Sequence, residues 1–393
     1  MQFRKKTQKD ASVPKNVRFI HTSDWHLGMT RHFLEKEAQA RFTQARFDAV
    51  RAIGKLAQEE HASFVLVCGD VFESNLVDRK TVLRALEAMA SIPVPVFLLP
   101  GNHDPLDAAS VFRSSTFESK KPPNVRLLAD TKPVAIEPGV ELVGAPWPTK
   151  RPLADLVSQA VNQIPRSTSA IRIVAGHGDL DSLSPNQDNP ALISSREVER
   201  AISEGLIHYI ALGERHSITP GSDTGRVWFS GTPEATDYLE EKSGCVLIVE
   251  VSPSQCRVQE KKTGSWQFIH RSFEFSADID VGQLESFLKD TVNKDKTIVR
   301  LGLKGVLSLE GKARLDELIQ EHQNLYAGIV VWERDSHIVL KPTDSDLQKL
   351  SLSGFAKEAL AKLQVMASDP SQDRAMAQDA ICLMYRLSGG KSS

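Results

Sequence analysis

Five stretches of the chain end an apolar run on residues that can hold a cation. "VRFIHTS" is followed by Asp24 and His26 in "SDWHLG", "SFVLVC" by Asp70 in "CGDVFES", and "VFLLP" by Asn102, His103 and Asp104 in "GNHD". "IRIVAG" is followed by His177 in "GHGDL", and "HYIALG" by Glu214 and His216 in "GERHS". Oxygen and imidazole donors without thiolate suit manganese, iron, zinc or magnesium rather than copper(I) or an iron–sulfur cluster. Read as extended backbone, the Asp-x-His spacing of Asp24 and His26 puts both side chains on one side, and the two oxygens of Asp70 can bridge two cations. Two cations about 3.5–4 Å apart clamp the attacking and leaving oxygens of an in-line phosphoryl displacement, so phosphoester cleavage is the reaction this set fits best. At any single position a turn residue or a structural histidine is the plainer explanation. Five strand exits of this kind, in order, are not explained that way. The other histidines, His21, His61 and His270 among them, lack this setting and are read as structural.

The elements that must position these residues follow from periodicity. Short β-branched runs alternate with helical spacing: Phe42, Ala45, Ala49, Ile53 and Leu56 mark one face of a helix over 37–60, and Asp78 caps a second that buries Val82, Leu83, Leu86 and Met89. With strands at "VRFIHTS", "SFVLVC" and "VPVFLLP", a β-α-β-α-β unit is complete within the first hundred residues. Later strands at "VRLLA", "VELVGAP", "IRIVAG", "HYIALG", "VWFSG" and "GCVLIVEV" come with few helices between them, which favours a mixed sheet or two stacked sheets. Ligands bind at the carboxyl ends of strands in open α/β sheets, where all five donor stretches fall. The expected fold is therefore α/β, and hairpins are expected over about 255–275. Near Ser276 the character changes, and "TIVRLGLKG", "LEGKARLDELIQEHQ", "AGIVVWER" and "HIVLK" predict a small α/β unit. From 344 two helices are expected, one with Phe355, Leu360 and Leu363 and one with Met376, Ile381, Met384 and Leu387, broken at "SDPSQD". The expected division is thus a disordered arm 1–16, a main domain 17–275, a small α/β domain 276–343 and a helical segment 344–393.

The chain has 393 residues, 41% hydrophobic and 25% charged, as an ordinary soluble globular protein does. Its 48 Lys and Arg against 50 Asp and Glu create no global positive field to draw in a polyanion. Cys68, Cys245, Cys256 and Cys382 show no paired spacing, which suits a reducing cytoplasm. No stretch reaches the roughly 18 apolar residues of a membrane span, so a cytoplasmic protein is expected.

"HTSDWHLG", "CGDVFES", "LPGNHD", "AGHGDL" and "ALGERHS" resemble the calcineurin-like metallophosphoesterase superfamily. Within it, "HTSDWHLG", "GDVFES" and "SGTPEATD" look like the SbcD and meiotic-recombination-eleven nucleases of double-strand-break repair. The resemblance covers 17 to about 250 and, beyond that, only the order of domains. It implies two stacked mixed β-sheets flanked by helices, a small α/β capping domain and a helical tail. It implies Asp24, His26, Asp70 and His216 as ligands of one manganese and Asp70, Asn102 and His177 of the other, with magnesium, iron or zinc as alternative metals. It also implies His103 beside the scissile phosphate with Asp104 orienting it, DNA as substrate for exonuclease or endonuclease action, an SMC-like coiled-coil ATPase as partner, and a homodimer. Two residues depart from the pattern. Glu214 replaces the first histidine of the usual GHxH, giving the second metal a carboxylate, and Glu73 stands where several relatives have a histidine. The competing functions are a phosphodiesterase or phosphatase for small nucleotides and a non-catalytic scaffold subunit.

Overall fold

The structure is a computed structural model describing residues 16–166, 170–340, 354–368 and 374–387. The expected arm, apart from Asn16, and the start of the expected helical segment lie outside the described residues. In chain order the elements are β1 (Val17–Thr22), α1 (Lys36–Glu59), β2 (Val65–Cys68), α2 (Arg79–Ala90), β3 (Val96–Leu99), α3 (Ser115–Lys120), β4 (Val125–Leu127), β5 (Val134–Glu137), β6 (Val140–Gly144), α4 (Leu156–Gln163), β7 (Ile171–His177), α5 (Ser195–Ser203), β8 (Tyr209–Gly213), β9 (Thr219–Pro220), β10 (Val227–Phe229), β11 (Cys245–Val251) and β12 (Cys256–Lys262). Then come β13 (Gln267–Phe275), α6 (Val281–Asp290), β14 (Thr297–Leu307), α7 (Leu309–Gln323), β15 (Gly328–Val331), β16 (His337–Leu340) and two helices, Phe355–Ser368 and Arg374–Leu387. Two compact units result, one up to Arg31 with Gln39–Trp266, the other His32–Ala38 with Gln267 onward. No helix among the described residues is long and apolar enough to cross a membrane.

The first unit holds two six-stranded mixed sheets, ordered β12-β11-β1-β2-β3-β4 and β5-β6-β7-β8-β10-β9. In the first, β1 to β4 run parallel, β11 pairs antiparallel with β1 and β12 antiparallel with β11; in the second, β6, β7, β8 and β10 run parallel, with β5 and β9 antiparallel at the edges. Period-two alternation sorts each central strand between two apolar layers. On β2, Val65 and Val67 pack with Phe47 and Ile53 of α1 and Leu86 and Met89 of α2, whereas Leu66 and Cys68 join Leu142, Ile173 and Tyr209 of the second sheet. On β8, Ile210 and Leu212 face Val157 and Val161 of α4. The central strands of both sheets are buried on both faces, giving the helix, sheet, sheet, helix stacking. It also explains why these strands read as continuous apolar runs.

Asp78 caps α2 by accepting from Thr81 N–H at 2.7 Å. Leu83, expected inside, is 36% exposed. The buried stripe runs through Val82, Ala85, Leu86 and Met89 instead, and Leu83 lies off that face. His21, between the sheets, has Nδ1 3.1 Å from the Tyr209 hydroxyl and Nε2 3.1 Å from the Leu212 carbonyl. Burial lowers its pKa to about 3.

The expected hairpins over 255–275 are half right. β11 and β12 form one, but β13 pairs in parallel with β14 and belongs to the second unit. The connection is α6, a crossover helix not expected from the sequence, and an edge strand with few buried residues reads like a hairpin arm. In that unit Phe273, Phe275, Val299 and Leu301 of the sheet pack with Leu284 and Leu288 of α6 and Leu315 and Leu318 of α7.

Phe97 lies between the two sheets, its ring 5.7 Å from that of Phe64 in an edge-on arrangement. Phe97→Ala is expected to lower the unfolding free energy by about 3–5 kcal/mol in urea denaturation, and a loss below about 1 kcal/mol would contradict this inter-sheet layer.

Candidate metal centre

The exits of β1 and β2 stay paired after the strands end. Asp24 N–H donates to the Gly69 carbonyl (3.1 Å), His26 N–H to that of Asp70 (2.9 Å) and Leu27 N–H to that of Val71 (2.9 Å). Asp24, His26 and Asp70 have φ of +52°, +45° and +53°, and Glu214 on the β8 exit has +100°. These are four of the six non-glycine residues with positive φ among the described residues. Each costs about 1–3 kcal/mol, so backbone strain is concentrated at this sheet edge. Asp24 and His26 therefore converge through left-handed backbone, not through the extended alternation expected. Trp25 between them is buried in the helix-side core, its Nε1–H donating to Thr22 Oγ1 at 2.9 Å.

Close approach fixes two glycines. A Cβ on Gly69 would stand 2.1 Å from His177 Nδ1, and one on Gly101 2.2 Å from Asp70 Oδ1.

The donors expected from sequence meet in overlapping groups, Asp24 with His26 and His216, Asp24 with Asp70 and His177, and His26 with Asp70 and His103, the ligand atoms of each group lying within 4.8 Å of one another. Nε2 of His26 faces Nε2 of His216 at 3.1 Å. Nε2 of His177 is 2.8 Å from Asn102 Oδ1, 3.0 Å from Glu214 Oε2 and 3.4 Å from Asp70 Oδ2. One ring proton cannot serve three oxygens, and two imidazole lone pairs repel at 3.1 Å. A cation in each place resolves both contacts, so the donor set fits two divalent ions. Glu214 Oε2 is buried and lacks an aligned hydrogen-bond donor, so this oxygen turns into the group although the side chain is 36% exposed. Its own N–H donates to both oxygens of Asp24 at 3.2 Å.

The surroundings set the tautomers. Nδ1 of His177 lies 2.9 Å from the Cys68 carbonyl, which leaves Nε2 as the lone-pair atom. Nδ1 of His216 lies 2.8 Å from Thr236 Oγ1 and 3.1 Å from Glu240 Oε1. Asp104 does not orient the His103 ring as expected. Its oxygens accept from Gly101 N–H (2.8 Å) and Phe72 N–H (2.9 Å), tying the two loops together, and it is the Glu73 carbonyl that holds His103 Nδ1, at 2.8 Å. Asp70 accepts from the His103 N–H at 2.9 Å. Trp147 Nε1–H donates to the His177 carbonyl at 2.7 Å, and Arg215 binds Asp179 at 2.8 Å, joining the loops after β7 and β8. Glu240 had no signal in spacing or strand position; Thr236, inside "SGTPEATD", and Trp147, just past "VELVGAP", had a setting but nothing that marked these contacts. Arg215 and Asp179 were visible only as neighbours of ligands.

Burial opposes ionisation of Asp70, yet His177 and His26 beside it hold its carboxyl well below the usual range. Burial likewise opposes charge on His177, but Asp70 and Glu214 outweigh it and lift the ring well above its usual value. The centre thus favours positive charge at this point. Burial, helped by the charge of Asp70, pushes Asp104 up to about 7 against the pull of its two amide donors.

The chain matches a family model described as calcineurin-like phosphoesterase over residues 17–249. It is 25% identical over 279 residues to the SbcD component of the nuclease SbcCD of Bacillus subtilis, covering 61% of this chain and 67% of that one. It is 32% identical over 91 residues to the DNA double-strand break repair protein Mre11 of Archaeoglobus fulgidus, which is 22% of this chain and 19% of that one. The chain therefore spans about a fifth of that relative's length. Among solved structures, TT1561 of Thermus thermophilus superposes with a TM-score of 0.40 at 11% identity, covering 63% of this chain and 99% of that one.

Manganese is expected to stabilise the chain against heat, by about 2.7 kcal/mol when present at 100 times its Kd. Asp70→Ala, which removes the carboxylate lying in two of the three donor groups, is expected to abolish that gain. An equal gain in both proteins, followed by differential scanning calorimetry, would show that the ions bind elsewhere.

Proposed function

Because the chain belongs to the calcineurin-like phosphoesterase family, with every donor inside residues 17–249, we propose that it is a manganese-dependent DNA nuclease subunit acting in double-strand-break repair. One observation carries the reading. Asp70 lies at the meeting of two donor groups, with His103 beside it, the layout that a two-metal phosphodiesterase needs. Asp24, His26, Asp70 and His216 would hold one ion, and Asp70, Asn102, His177 and Glu214 the other. Divalent ions there supply charge stabilisation for phosphoryl oxygens and an acidified water.

The protein's own part is positioning and proton handling. With Nδ1 of His103 at the Glu73 carbonyl, Nε2 is the atom left to hold a proton beside the leaving oxygen. Asp104 keeps the loop carrying Asn102 and His103 against that carrying Asp70. Similarity to a component of the SbcCD nuclease over 61% of the chain favours DNA as substrate over a small nucleotide. A net charge of −2 leaves DNA attraction to a local surface or a partner. An SMC-like coiled-coil ATPase suits the C-terminal helices, where Phe355, Val365 and Met376 are exposed. A homodimer in the cytoplasm completes the proposal.

Hydrolysis of single-stranded DNA, hairpin DNA and bis-p-nitrophenyl phosphate with manganese tests the substrate class. Cleavage of the DNAs is expected; activity on the small ester alone would favour a nucleotide phosphodiesterase, and no hydrolysis with partner binding retained would favour a scaffold. His103→Ala is expected to lower turnover by about 10²–10⁴-fold with metal uptake unchanged. Glu214→Ala is expected to weaken one of two manganese ions in calorimetric titration, and unchanged stoichiometry and affinity would remove Glu214 from the ligand set.

A further inference from the structure

We propose that Glu73 is a positioning residue that fixes two imidazoles of the centre at once, its carboxylate accepting a hydrogen bond from Nδ1–H of His26 and its backbone carbonyl one from Nδ1–H of His103. The inference rests on the metal-centre reading and concerns a residue outside the ligand set.

Three contacts carry it. Glu73 Oε2 lies 3.0 Å from His26 Nδ1. Both atoms are buried, and neither has an aligned hydrogen-bond partner. Two unpartnered buried atoms of opposite hydrogen-bond character at that distance need only a small ring rotation to satisfy each other, whereas leaving each unpaired costs about 1–3 kcal/mol. The Glu73 carbonyl is 2.8 Å from His103 Nδ1, so the same residue meets both rings, whose centroids are 4.8 Å apart and edge-on.

The position of Glu73 is itself fixed. Its N–H donates to the Leu27 carbonyl at 3.1 Å, on the paired exits of β1 and β2, so it cannot shift without moving the loop that carries His26. With Nδ1–H directed at Glu73, the His26 lone pair is confined to Nε2, the atom facing His216. A carboxylate behind a ligating imidazole also raises its basicity and fixes the ring's orientation. Glu73 would thereby set the affinity of the ion held by His26 and, through its carbonyl, the aim of His103.

The two functions separate by substitution, because every variant keeps the carbonyl. Glu73→Gln retains an oxygen that can accept from Nδ1–H, while Glu73→Met keeps the length without one. In calorimetric manganese titration of the full chain, Glu73→Met is expected to weaken one of two ions by about 10–100-fold, with Glu73→Gln within about threefold of wild type. The electron paramagnetic resonance spectrum of bound manganese should change in the Met variant and be restored in the Gln variant. If Glu73→Met does not fold, Glu73→Asp, whose carboxylate falls one methylene short of His26, takes its place with the same expectation. Equal affinities for the acceptor and non-acceptor variants, with wild type binding two ions, would overturn the role of Glu73 alone. A wild type that takes up no manganese would instead overturn the metal-centre reading.

Discussion

Everything at the active edge depends on one buried anion. The Asp70 side chain is 3% exposed, and a carboxylate removed from water is several kcal/mol unfavourable unless charge and hydrogen bonds answer it. One amide, that of His103, reaches Oδ1 at 2.9 Å, and the nearest opposing groups are the rings of His177 at 3.4 Å and His26 at 4.0 Å from Oδ2. Those rings can each supply a proton only by giving up the lone pair that faces the centre. A bridging position for cations answers the same anion without that loss.

The fold holds this anion in place by a double-layer design. The central strands of both sheets are buried on both faces, so their ends cannot slide, and the residues just beyond them inherit that rigidity. Loops that would otherwise be free are then tied across strands: β1 to β2 by four backbone hydrogen bonds, β3 to β2 by Asp104, and β7 to β8 by Asp179 and Arg215. Only such restraint lets Asp24, His26, Asp70 and Glu214 persist at positive φ.

The sequence carried the ligand types and the strand exits because both are local properties: an apolar run of period two, then a polar break. The donors Asp24, His26, Asp70, Asn102, His177 and His216 were readable in this way, and the structure brings them together. Three things were not readable. The left-handed turns at Asp24 and His26 left no mark, since nothing in Asp-Trp-His demands positive φ. Asp104 looked like a partner for its neighbour His103, but its geometry is set by amides from two different loops. Glu240 reaches His216 from just past the stretch "SGTPEATD" and Thr236 from within it, but nothing in that stretch marks a contact with His216, and only tertiary packing makes it. The parallel pairing of β13 failed for a related reason, as strand direction is decided by the crossover helix α6 and not by the strand's own residues.

The charge of the centre adds a final constraint. Asp24, Asp70, Glu73, Glu214 and Glu240 all carry carboxylates at or next to the donors; Arg215 is occupied by Asp179, and the buried Arg46, near Glu73 and Glu240, donates to the Trp25 and Ala235 carbonyls. A phosphodiester is itself an anion, and unscreened approach to this group of acids would be repulsive. Two divalent ions would contribute four positive charges at that point and reverse the sign of the local field. The departures of this chain from a purely imidazole pattern, Glu73 and Glu214, make that reversal more dependent on the ions. On the proposed function, metal occupancy would therefore be as much the condition for substrate approach as for bond cleavage. The chain's overall charge of −2 offers no distant field to compensate if the ions are lost.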